Sequence, residues 1–198
     1  DLAGAKRHAD ELALRLPGDA EVLRWRSIIA EREGDATNAV RLLRQAVDQR
    51  PSRRMLQALA DLEMRQGLVA DARTPLDTLV TRFPSDRYPL SKLAQLELLN
   101  GDPLRADSLY SRLVESQPGQ VSSLTNRGLA RMLHGNWAGA EADFAASMAL
   151  APDNLDIALN RADCLELTGR GAEAAALYAR IEKASRAESD ADNPFNRL

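Results

Sequence analysis

Glycine recurs at positions 34, 67, 101, 135 and 169, and two further series keep step with it. Ala39, Ala72, Ala106, Ala140 and Ala174 each follow their glycine by five residues. Pro17, Pro51, Pro84, Pro118 and Pro152 fall between the units at spacings of 34, 33, 34 and 34. A turn former, a small packing residue and a helix breaker in common register mean that the chain is an array of one repeated supersecondary unit. Each unit of such an array packs on its neighbours, so the chain's length of 198 residues says little about domain count.

The unit reads as a helical hairpin. Between Pro17 and Pro51, Asp19 is placed to cap a helix with apolar residues Val22, Leu23, Ile28 and Ile29 at helical spacing. Gly34 and Asp35 then close that helix and open the next, glycine taking the left-handed turn and aspartate capping the new N-terminus. The second helix carries Ala39, Leu42, Leu43, Ala46 and Val47 on one face before Pro51 stops it. Seven residues before each glycine stand Ser27, Ala60, Ala94, Gly128 and Ala162, all small. Nine after it stand Leu43, Leu76, Tyr110, Phe144 and Tyr178, all large. Small positions facing large ones let two helices approach and interdigitate.

Two local irregularities are visible. One residue is missing between Pro51 and Gly67, which shortens the turn entering that unit. Pro75 falls inside a second helix, where it removes a hydrogen bond at a cost of ~3 kcal/mol and predicts a kink. Pro103, after Asp102 at a helix start, is well tolerated. The polar segment from Ala184 onward is expected to fray or dock loosely.

The pattern resembles the tetratricopeptide repeat family, from Asp1 to about Ala184. The unit carrying Leu124, Gly128, Gly135, Trp137, Ala140, Phe144 and Pro152 matches the family's motif best. Leu23, Leu56, Leu90, Leu124 and Ala158 stand where the family's first aromatic would, and Arg26, Arg127 and Arg161 replace a usual leucine three residues on. The resemblance implies an all-α, right-handed superhelical solenoid of antiparallel hairpins, about five and a half units long. The units fall at 18–51, 52–84, 85–118, 119–152 and 153–186, after a half unit at 1–17 and before a polar tail at 187–198. That half unit leads to the expectation that the chain is a region of a larger protein.

The resemblance also implies a function without catalysis, in which the first helices line a concave groove that holds a partner protein or peptide segment. Carried onto this chain, the groove residues are Arg24, Trp25, Tyr88, Lys92, Gln95, Thr125, Asn126, Asn160 and Asp163. Asn126 and Asn160 occupy one repeat position, where an amide that both donates and accepts can grip a peptide main chain. A clamp for an acidic tail fits poorly, because Lys92 and Asn126 supply only part of it and Asp156 and Asp163 repel such a tail. Arg127 and Arg161 are expected to pair with Asp163 or Asp156 in a solvated network worth little.

Other chemistry finds little support in the residues. His8 and His134 are more than three repeats apart, and Cys164 lies alone on an apolar face, which reads as an inert buried thiol. No phosphate loop or metal-ligand cluster appears, so no cofactor and no metal are expected. A net charge of −3 and a pI near 5.5 give no basic stripe for nucleic acid, and no apolar run approaches the length of a membrane span. The 23 Arg against 3 Lys, with abundant Ala and Leu, read as the coding bias of a GC-rich bacterial genome. Expected settings are an envelope-assembly or signalling protein in the cell envelope or periplasm, with the cytoplasm as the alternative. A sensor or polysaccharide-binding region of an exopolysaccharide-export protein or membrane-spanning kinase is the second functional reading, with Trp25 and Tyr88 as its exposed aromatics. Trp137 is expected in the core, and the apolar Leu12 and Leu14 of the half unit lead to an expectation of self-association.

Overall fold

The computed structural model describes residues 1–192, with side chains through residue 187. These residues form α1 (Leu2–Arg15), α2 (Ala20–Arg32), α3 (Ala36–Gln49), α4 (Arg53–Arg65), α5 (Val69–Arg82) and α6 (Arg87–Leu99). They continue through α7 (Pro103–Ser116), α8 (Val121–Leu133), α9 (Trp137–Leu150), α10 (Leu155–Leu167) and α11 (Gly171–Asp192). No strand occurs among the described residues. From α2 to α10, helices of 13 and 14 residues alternate, which is the hairpin unit repeated.

The turn inside each hairpin is made the same way. Gly34 sits at φ +85°, and the next amide, Asp35 N–H, donates back to Ala30 O at 2.9 Å, satisfying a terminal carbonyl of α2. Asp35 then accepts from Asn38 N–H and starts α3. The same back-bond closes α4 (Leu68 to Glu63), α8 (Asn136 to Arg131) and α10 (Arg170 to Leu165). Asp102 and Asn136 repeat the side-chain cap at α7 and α9. Leu68 stands in that place before α5 and forms no side-chain cap.

The missing residue shows in the helix bounds, since α2 begins three positions after Pro17 and α4 only two after Pro51, with Ser52 capping α4 directly. Pro75 lies inside α5 and is buried, and the lost hydrogen bond does not end the helix, which runs on to Arg82. Of the segment expected to fray or dock loosely, the described residues continue α11. α11 passes the 186 boundary and reaches Asp192, because neither Gly nor Pro interrupts it after Gly171 and Glu182 pairs with Arg186 one turn on. The Asn-Pro-Phe triplet at 193–195 lies outside the described residues.

The chain divides into two compact units, Asp1–Leu96 and Glu97–Leu198, with the division inside α6. In the first, Ala39, Leu42, Leu43 and Ala46 of α3 are buried together with Ala30 of α2 and Met55, Leu59 and Leu62 of α4. In the second, Ala140 and Phe144 of α9 meet Ile157 and Cys164 of α10, with Trp137 packed against them. The small-against-large pairing is direct at Gly128, where an added Cβ would stand 2.7 Å from Phe144 Cε1.

Candidate partner-binding face

The first helices of the hairpins carry the residues singled out from sequence, and packing sorts them into two groups. Arg24 is turned inward. It is only 6% exposed, its guanidinium lies 4.6 Å from the centre of the Trp25 ring, and its Nε donates to Glu21 Oε2 at 2.8 Å. An arginine held by a ring and a carboxylate supports α2 and is not offered to a partner. Trp25 itself stays half exposed, with one ring face already taken.

Tyr88 is half-buried and its hydroxyl donates to Asp61 on α4, and burial followed by that bond holds its ionisation well above the usual tyrosine value. Thr125 donates to Ser147 Oγ on α9 at 3.1 Å, and Asp163 accepts from the Tyr178 hydroxyl on α11 at 2.7 Å. These three tie helices together. Asn126 is hydrogen-bonded to the Tyr110 hydroxyl, whose pKa burial pushes up to about 12 while that bond opposes the rise. Lys92, Asn126 and Asn160 are half-buried, and Gln95 is exposed.

One row was not anticipated. Leu133 and Leu167 follow Asn126 and Asn160 by seven residues, two helical turns, and so share their face of α8 and α10. They are 66% and 59% exposed. Leu99 holds the same repeat position at the end of α6 and is also exposed. The signal was present in sequence, as a leucine two residues before Gly101, Gly135 and Gly169, but apolar residues in helices are ordinarily assigned to the core.

The expected partners of Arg127 and Arg161 need correction. Arg127 binds Asp143 on α9 through both carboxylate oxygens, at 2.9 and 2.6 Å, and that pairing raises its pKa further. Arg131 bridges Asp143, at 2.8 Å, to Asp107 on α7, at 3.1 Å, and Asp107 also meets His134 Nε2 at 3.2 Å. Arg161 pairs with Glu141, not with Asp156 or Asp163. Asp143 is 3% exposed, so this network is enclosed where a solvated one was expected. The acids that match these arginines come from second helices, which repeat position alone does not reveal.

In the first unit Glu63 is buried, and burial raises its pKa against the opposing pull of Arg44. Cys164 is fully buried, and desolvation, aided by Asp163 and Glu141, pushes its thiol up to about 11, away from a reactive thiolate. Among the described residues no His, Cys, Asp or Glu cluster is placed to hold a metal ion, and no helix is long and apolar enough to cross a membrane.

This architecture of stacked helical hairpins, turned at glycine and packed small against large, is that of a helical-repeat scaffold. One tetratricopeptide repeat model matches residues 1–54, 58–121 and 91–154, and a second matches residues 131–193. The chain belongs to the tetratricopeptide repeat family, whose members are protein-interaction scaffolds. Among solved structures, MamA 41-end from Desulfovibrio magneticus RS-1 superposes with a TM-score of 0.74 at 15% identity, covering 85% of this chain and 96% of that one. A tetratricopeptide repeat protein from Parabacteroides merdae ATCC 43184 gives 0.69 at 19% identity, covering 92% and 73%. At those identities the likeness shows the fold. A mouse (Mus musculus) FK506-binding protein-like sequence is 37% identical over 78 residues, which are 39% of this chain and 22% of that protein. The match thus spans about a fifth of that relative's length.

Proposed function

We propose that this chain is a bacterial, non-catalytic scaffold that holds an extended segment of a partner protein across the exposed face of α8 and α10. The observation that carries this reading is the pair of parallel rows on that face, Asn126 with Asn160 and Leu133 with Leu167. An amide row suits main-chain N–H and C=O groups, and a leucine row beside it suits apolar side chains of the same segment. The Asn126 amide donates to the Tyr110 oxygen, which orders that side chain before a partner arrives and lowers the ordering cost of binding. Arginine used in place of lysine supports the bacterial setting, and an envelope-assembly or signalling role is the context this reading adopts. The carbohydrate alternative has less support, since Arg24 covers one face of Trp25 and Asp61 engages Tyr88.

The test compares partners retained from bacterial lysate by the wild-type chain, by Asn126→Ala with Asn160→Ala, and by Leu133→Asp with Leu167→Asp. A protein retained by the wild type and released by both variants is expected. Recovery unchanged in the folded variants would remove this face as the binding surface.

A further inference from the structure

Within the first unit, α3, α4 and α5 line a cavity of about 500 Å³, with Leu56, Leu59 and Pro75 as apolar wall and Glu63 among its lining residues. The internal repeat shows what is unusual about Glu63. Four residues before its glycine, α2 and α10 carry Ala30 and Leu165, both buried, so the hairpin packs without a charge at that position. α8 carries Arg131 there, and Asp143, eight residues after the same glycine, meets it at 2.8 Å. α4 carries Glu63, but eight residues after Gly67 stands Pro75, which has neither a donor side chain nor an N–H. The second hairpin has a buried charge and lacks the partner that the fourth supplies.

Glu63 is 1% exposed, and its carboxylate is paired on one side. Arg44 of α3 donates through both Nε and Nη2 to the same oxygen, Oε1, at 2.8 and 2.6 Å. Oε2 is buried and has no hydrogen-bond partner among the described residues. Proteins rarely leave a buried charged acceptor without a donor. Among the lining residues Arg44 is the one cation against Asp48, Glu63 and Asp71, and Asp71 already shares it at 2.7 Å. Pro75 also leaves the carbonyl of Asp71 without the donor that closes a helical turn. The cavity thus has an excess of acceptors and of negative charge.

We infer that this cavity binds a small amphiphilic primary amine, its ammonium donating to Glu63 Oε2 and its hydrocarbon stem lying against Leu56, Leu59 and Pro75. The volume falls within the range of small-molecule sites. A primary ammonium offers three donors in a compact head, enough for Oε2 and a neighbouring acceptor together. The site shares no residue with the face assigned to α8 and α10, and it stands whether or not that face binds a partner.

The probe is n-hexylammonium, titrated into the intact chain and followed by backbone amide NMR shifts. Saturable shifts in α3, α4 and α5 are expected. Hexanol keeps the stem without the charge, and hexyltrimethylammonium keeps the charge without N–H donors; each should bind about tenfold more weakly. Glu63→Gln keeps the shape of the side chain and should weaken hexylammonium by about the same factor. Thr74→Lys, at an exposed position of α5 that lines the cavity, brings the chain's own ammonium to the site and should also weaken binding. Circular dichroism establishes which variants fold, and Thr74→Lys carries the test should Glu63→Gln fail to do so. The proposal is overturned by the absence of saturable shifts in these helices, by equal binding of the three probes, or by binding that a folded variant leaves unchanged.

Discussion

Gly128 shows how far one side chain governs this packing. It sits in the middle of α8, where glycine is a poor helix former, yet an added Cβ would meet the Phe144 ring at 2.7 Å. Gly128→Ala should therefore set a propensity gain of about 1 kcal/mol against an overpacking cost of roughly 1–3 kcal/mol. Phe144 is fully buried among Ala140, Ile157 and Cys164 and has little room to yield. A net loss near 1 kcal/mol in urea unfolding is expected; a more stable variant would mean that Phe144 rotates freely. The small-to-large rule was legible in sequence at this residue because both partners recur with the period. Arg24 was not, since its inward turn depends on the Trp25 ring and Glu21, a local arrangement unique to one repeat.

At the scale of elements, α7, α8 and α9 are joined by charge as well as by apolar contact. Asp143 of α9 receives Arg127 and Arg131 of α8, and Arg131 continues to Asp107 of α7. Removing the shared acid leaves two guanidinium groups facing a closed site. Asp143→Ala should cost about 3 kcal/mol, at the low end for breaking a buried pair because Arg131 keeps Asp107. Asp143→Asn, which retains acceptors for both arginines, should lose less. A loss below roughly 0.5 kcal/mol for Asp143→Ala in chemical denaturation would return the network to the class of exposed pairs. The helices and their turns were readable from residue order, because a left-handed glycine, an aspartate cap and a proline stop act within a few residues. The network was not, because its acids and bases belong to different helices.

At the scale of the whole molecule, an array of hairpins owes its stability to contacts between neighbours, so elements covered on fewer sides open first. α1 and α3 occupy the same place in the repeat, but Ala5 and His8 are exposed where Ala39 and Leu42 are buried. In hydrogen-exchange mass spectrometry α1 should lose protection well before α3. Equal protection of α1 and α3 would contradict this difference in cover. The amino-acid sequence by itself determined the hairpin, its period and its family, because these rest on backbone conformations and packing sizes that each unit restates locally. Only the tertiary structure decided which first-helix residues face out. Tyr88 finds Asp61, Thr125 finds Ser147 and Asp163 finds Tyr178 across 27, 22 and 15 residues of chain. Those bonds draw inward side chains that their repeat positions had marked for a partner. The exposed leucines are the complement of the same fact: a periodic apolar residue is core only where another helix covers it.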